Sequence, residues 1–187
     1  SEQKTKRRKL VGIAGAAAAV LVVLTVGYSL WSNSQERSRA IADGLTRQAW
    51  DEVLELDGSN ATALVGRANQ RLSTDPPTIE EAFADLEQAE SADSSIAGLQ
   101  GAKALAYVSR ALAKALADQV IEAQADLREA RTLGAPDTKL SSAKQALAAA
   151  YLKVADTQAK AGQVADALKS RDQAATLGAA EGDLASI

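Results

Sequence analysis

The chain contains no histidine, no cysteine and no methionine. It therefore lacks the usual ligands of zinc, copper, haem and iron–sulfur centres, and it has neither imidazole general bases nor thiolate nucleophiles. Aromatic residues make up only 3% and proline occurs three times. With so few prolines nothing interrupts helices, and the abundant alanine loses least on entering one. There is no glycine-rich phosphate loop, no Gly-x-Ser-x-Gly elbow and no Asp-x-Asp-x-Asp-Gly calcium loop. These absences predict a protein that is not an enzyme, with no catalytic residue, no cofactor, no metal site and no small-molecule substrate. A length of 187 residues, 47% of them hydrophobic, predicts one modest domain with an appendage.

The formal net charge of −3 hides a segregation. Lys4, Lys6, Arg7, Arg8 and Lys9 against Glu2 make the first nine residues +4, which leaves −7 for the rest. Between Leu10 and Trp31 lie 22 residues without Lys, Arg, Asp or Glu. As a helix this segment would be about 33 Å long at 1.5 Å per residue, enough to cross a hydrocarbon core of roughly 30 Å. The basic run at its start predicts a cytoplasmic N-terminus, and Tyr28 and Trp31 mark the opposite interface with their amphipathic rings. Residues 1–9 are thus expected to be a cytoplasmic basic segment, 10–31 a single transmembrane helix, and 32–187 an extracytoplasmic domain. Gly12, Gly15, Ala16 and Ala19 supply small-x-x-x-small pairs that would let another membrane helix approach closely, although an alanine-rich span also contains such spacings by chance. The competing reading is a cleaved signal peptide with Ala40-Ile41-Ala42 as its small-x-small site, which lies well beyond the apolar run.

From Ser32 onward no stretch alternates with period two. Apolar residues recur instead at three and four, as in Ala82, Leu86 and Ala89, which predicts an all-α domain. Thr78 with Glu81 forms a capping-box pattern after Pro76-Pro77, and Gly134 and Gly178 follow Leu133 and Leu177 as helix stops. Ala117 to Ala135 overlays Ala161 to Ala179 at a shift of 44, with Gln-Val and Thr-Leu-Gly-Ala repeated and Tyr107 carried onto Tyr151. A shift of 41 brings Ala82 to Ala89 onto Ala123 to Ala130, and Ala63-Leu64 onto Ala104-Leu105. Three units of 41 to 44 residues follow, each a pair of antiparallel helices that bury their apolar faces by stacking, preceded by a shorter unit from Ser34 to Asp57.

At these residues the chain resembles the tetratricopeptide repeat family. Leu54 to Leu64 (LELDGSNATAL) is similar to that family's helix end, turn and helix start, and Gly162 to Leu168 (GQVADAL) to its inner turn. Gly44 followed by Ala49 repeats the inner-turn spacing. The resemblance covers Ser34 to Ala180, with Asp118 in place of the turn glycine, units longer than the family's roughly 34 residues and no Trp-x-x-Leu-Gly element, which leaves other αα-repeat families open. It implies a short α-solenoid with a concave, protein-binding surface and no catalytic residues.

Candidate contacts are therefore surfaces. Arg67, Arg71, Lys103, Arg110 and Lys114 fall on first helices, where the resemblance implies partner binding; the plainer reading is solubilising charge in exposed stripes. Trp50 is either core or a contact with an adjacent subunit. The acidic run Glu80, Glu81, Asp85, Glu87 and Glu90 reads as a solvated helix face. The short N-terminal basic cluster lacks aromatics and abuts the apolar span, so topology and anionic lipid account for it without nucleic acid. Together these features predict a non-catalytic accessory or scaffold subunit of a bacterial inner-membrane complex. Its partners would be integral membrane subunits and the lipid bilayer, with the repeat domain in the periplasm. The alternative is a membrane-anchored adaptor for periplasmic chaperones or clients, of the kind serving a translocon or cytochrome c maturation; a sensor tail cut from a longer chain is a third class.

Overall fold

The computed structural model describes residues 28–185, all of whose regular structure is α-helical. The predicted span 10–31 lies outside the described residues except for its last four, as do Gly12, Gly15, Ala16 and Ala19. Among the described residues no helix is long and apolar enough to cross a membrane. The chain divides into two compact units, one ending at Asp57 and the other starting at Gly58.

In the first unit, α1 covers residues 28–47 of the described chain and α2 is Trp50–Leu56. Gly44 is not the turn residue that its spacing predicts. It is buried within α1, where an added Cβ would come within 2.6 Å of Val53 Cγ2 on α2. The turn is made by Gln48, in the left-handed region at φ 58°, and the Ala49 amide donates to the Gly44 carbonyl at 2.9 Å. The glycine is thus needed for the close approach of two helices, and Val53, fully buried, is the side chain it admits. The Arg37 guanidinium donates to the Leu56 carbonyl, tying the end of α2 back to α1.

The second unit contains α3 (Ala61–Leu72), α4 (Ile79–Ala92), α5 (Leu99–Leu116), α6 (Val120–Thr132), α7 (Asp137–Lys160), α8 (Val164–Thr176) and the one-turn α9 (Glu181–Leu184). α3 packs on α4, α5 on α6 and α7 on α8, and successive pairs pack through α3, α5 and α7. The pairs are antiparallel: Arg67 on α3 meets Asp85 on α4, whereas Arg71, one turn later, reaches back to the Glu81 carbonyl. Alanine at the crossing points allows the close packing. Ala63 and Ala68 of α3, Ala106 and Ala111 of α5, and Ala155 of α7 are fully buried. Larger side chains fill the space between layers, with Leu127, Leu140, Leu147 and Tyr151 in one cluster.

Burial shows the register of the repeats. The second helices superpose at the predicted shift of 41, taking Ala82, Leu86 and Ala89 onto Ala123, Leu127 and Ala130, all buried. The first helices do not: Ala63 and Ala68 match Ala106 and Ala111, a shift of 43, so Ala63-Leu64 corresponds to Ala106-Tyr107 and not to Ala104-Leu105. The difference arises in the connection at residues 73–78, which is longer than Ala117 to Gln119 by more than a single turn residue. The 44-residue shift holds for both helices, with Ala111 onto Ala155, and Ala123 and Ala130 onto Ala167 and Ala174.

The helix ends follow their sequence signals with one exception. Gly134 and Gly178 adopt φ 81° and 94° just past α6 and α8. In each case the next residue's amide closes a six-residue loop, Ala135 to the Ala130 carbonyl at 2.9 Å and Ala179 to the Ala174 carbonyl at 3.0 Å, which satisfies carbonyls the helix leaves open. The exception is the capping box. Thr78 stands at the start of α4 without a side-chain cap, and its amide donates to the Arg71 carbonyl at 3.2 Å, so the backbone of the preceding helix closes this connection.

Candidate interaction surface

Four of the five bases on first helices have partners within their own helix pair. Asp85 is 3% exposed on α4. Arg67 grips it with both ends of the guanidinium, Nε to Oδ2 at 3.0 Å and Nη2 to Oδ1 at 2.7 Å, and Arg71 Nη1 adds a contact to Oδ2 at 2.5 Å. One repeat on, Asp126 is 4% exposed and is held by the same atoms, Arg110 Nε to Oδ2 at 3.0 Å and Nη2 to Oδ1 at 2.8 Å, with Lys114 Nζ at 2.8 Å from Oδ2. In the third pair the acid becomes Ser170, also buried, whose hydroxyl donates to Gln158 Oε1 at 2.8 Å.

The chemistry explains the spacing. A carboxylate removed from water needs hydrogen-bonded opposite charge, and two bases four residues apart on the facing helix converge on one point. Burial alone would raise the pKa of Asp126, but hydrogen bonds from Arg110 and Lys114 prevail and hold it below the ordinary carboxylate value. The hydrogen bond to Asp126 raises the pKa of Arg110 in return. Arg110 also stacks on two rings, its Cζ 4.2 Å from the Phe83 centroid and 5.0 Å from that of Tyr107. The predicted solvated acidic face is therefore corrected at Asp85, which is a buried counter-ion.

Lys103, the fifth base, reaches from α5 to both carboxylate oxygens of Glu90 on α4 at 2.9 Å and so links one pair to the preceding one. Trp50 opens α2 and is half-buried. Tyr28 and Trp31 are exposed on α1, their ring centroids 6.1 Å apart.

The remaining open feature of the first helices is a groove of about 280 Å³ along α3, α5 and α7, with Leu72, Leu105, Val108 and Leu112 as its apolar wall and Asn69 and Lys139 among its polar groups. These residues carried no sequence signal of their own, because an aliphatic side chain at helical spacing reads equally as core. Tyr107 and Tyr151 are not in this groove. Each faces the preceding second helix: Tyr107 meets Phe83 edge-on with centroids 5.0 Å apart, and the Tyr151 hydroxyl donates to Gln124 Oε1 at 3.0 Å. Burial raises the pKa of Tyr151, which keeps this hydroxyl a donor. Among the described residues no group of acidic side chains is arranged to hold a metal ion.

Compared with known proteins, the chain matches no family model, and neither a curated protein nor a solved structure is significantly similar to it.

Proposed function

We propose that this chain is a non-catalytic scaffold or accessory subunit of a bacterial membrane protein complex. Residues 10–31 form its single span, the N-terminus is cytoplasmic, and a tetratricopeptide-like α-solenoid holds neighbouring integral membrane subunits on the periplasmic side. The observation that carries this reading is the repeated pairing of helices, with three first helices side by side presenting one aliphatic groove and no reactive side chain. The internal pairing of Arg67, Arg71, Arg110 and Lys114 shifts the expected contact surface from those charges to the groove and the exposed helix faces. The test is purification of the native protein from membranes in mild detergent, with stoichiometry by mass spectrometry. A fixed set of integral membrane subunits is expected; recovery of the chain alone would overturn the proposal.

A second reading, the periplasmic adaptor, is favoured by the openness of the same groove to a single extended segment. It predicts soluble, variable and salt-labile companions in the same purification.

A further inference from the structure

The face of α8 that points along the stack has been covered twice already in this chain, and the register of the repeats tells what covers it. Its residues Val164, Leu168 and Arg171 correspond to Ile79, Phe83 and Leu86 of α4 and to Val120, Gln124 and Leu127 of α6. In those two pairs the following first helix lies over the face, placing Tyr107 against Phe83 and Tyr151 against Gln124. On α8 the same positions are open, with Val164 63% and Leu168 45% exposed.

The helix α9 begins the covering geometry. Its N-cap residue Ala180 has φ −67° and ψ 145°, the values at Pro136 before α7. Both residues accept the next two helical bonds at the same lengths to within 0.1 Å, from Asp183 and Leu184 in one case and from Lys139 and Leu140 in the other. The turn shields the C-terminal end of α8, where Ala174 is fully buried, and leaves the two N-terminal turns open. One substitution distinguishes this face from its predecessors. Where Leu86 and Leu127 are buried, α8 carries Arg171, whose ion pair is a 3.8 Å contact with the adjacent Asp172.

We propose that this face docks a helix of another polypeptide in the place of a further first helix, a helix presenting an alanine-rich face with an aromatic residue and a carboxylate that meets Arg171. The alanine and aromatic pattern is that of the two helices which cover the equivalent faces, Ala106-Tyr107-Ala111 and Ala150-Tyr151-Ala155. The carboxylate follows from charge complementarity to the arginine that replaces leucine. The purpose of the face rests on the scaffold reading, but its occupancy is measured without reference to any complex.

The probe is a synthetic peptide of the α5 sequence, Leu99–Leu116, and a second version with Arg110→Glu. Arg110 lies over Phe83, the counterpart of Leu168, so the glutamate would arrive within one turn of Arg171. Fluorescence anisotropy with the full chain in lipid nanodiscs should give binding on the order of 10–100 μM for the glutamate peptide, about fivefold tighter than for the unmodified one. Leu168→Glu or Val164→Glu in the chain should abolish binding with unchanged helical circular dichroism, and Arg171→Leu should remove the preference for glutamate. No binding, or binding that survives both Leu168→Glu and Val164→Glu, would overturn the proposal. So would light scattering that shows a dimer dissociated by Leu168→Glu, because a second copy would then occupy the face.

Discussion

Arg67 and Arg110 hold their aspartates through identical atoms, Nε to Oδ2 and Nη2 to Oδ1, in successive helix pairs of one chain. The positions are 43 residues apart for the bases and 41 for the acids, so the geometry persists although the connections between the helices differ in length. A contact that survives a change of loop is fixed by the facing helices, and it yields quantitative expectations.

Asp126→Asn keeps the shape and removes the charge. At neutral pH the variant should be less stable by about 2–3 kcal/mol in urea unfolding, since a buried pair is broken from one side. The folded pKa of Asp126 is depressed, so its contribution is fully present above the unfolded value near 3.9 and is lost as pH falls through the lower folded value. The stability difference between wild type and variant should therefore shrink below about pH 4. A difference that stays constant down to pH 2 would mean that the carboxylate is not stabilised by its partners.

The third pair offers the converse experiment. Ser170→Asp buries a carboxylate opposite Gln158 and should cost about 1–3 kcal/mol. Adding Gln158→Lys recreates the arrangement of Lys114 with Asp126 and should recover more than half of that loss. A double-mutant cycle on thermal unfolding reads the coupling; additivity of the two changes would refute the equivalence of the three pairs.

Gly44→Ala places a methyl group against Val53 Cγ2. The expected loss is about 1–3 kcal/mol from overpacking, which exceeds the gain of up to about 1 kcal/mol in helix propensity. Because the clash is with one side chain, Gly44→Ala combined with Val53→Ala should be more stable than the sum of the single effects predicts. Hydrogen exchange of α2 amides localises the effect to the first unit.

Asp118 occupies the left-handed position at φ 59° that Gly162 fills after α7. Asp118→Gly should stabilise by about 0.5–1 kcal/mol by removing the steric cost of a Cβ there, even though it also removes an exposed ion pair to Lys153. Gly162→Ala should destabilise by a similar amount, measured as the shift in urea midpoint at constant slope.

Much of this architecture is legible in the sequence. The recurrence of Thr-Leu-Gly-Ala marks two helix ends with glycine at positive φ, and the 44-residue shift aligns buried positions in both helices of the last two pairs. Two features are not legible. Arg67 with Arg71 and Arg110 with Lys114 have the same spacing as an exposed stripe, and only the opposing helix reveals that Asp85 and Asp126 lie beneath them. The first-helix register is off by two because the connection at residues 73–78 absorbs extra residues, which a rigid overlay cannot see. Gly44 misleads for another reason: glycine serves turns and close helix contacts alike, and its spacing to Ala49 does not tell them apart.

The buried aspartates also discriminate between partners during folding. The helices of this chain are near copies with similar alanine and leucine faces, so a first helix could collapse onto the wrong second helix at little cost in apolar burial. If α4 paired with α7, Asp85 would face Val154 and Gln158 in place of two cations, and its charge would be buried without compensation. If α8 paired with α5, Ser170 would leave Arg110 and Lys114 without their carboxylate. Polar chemistry that differs from pair to pair thus acts as a key between otherwise interchangeable helices, and swapped topologies are penalised before the stack is complete.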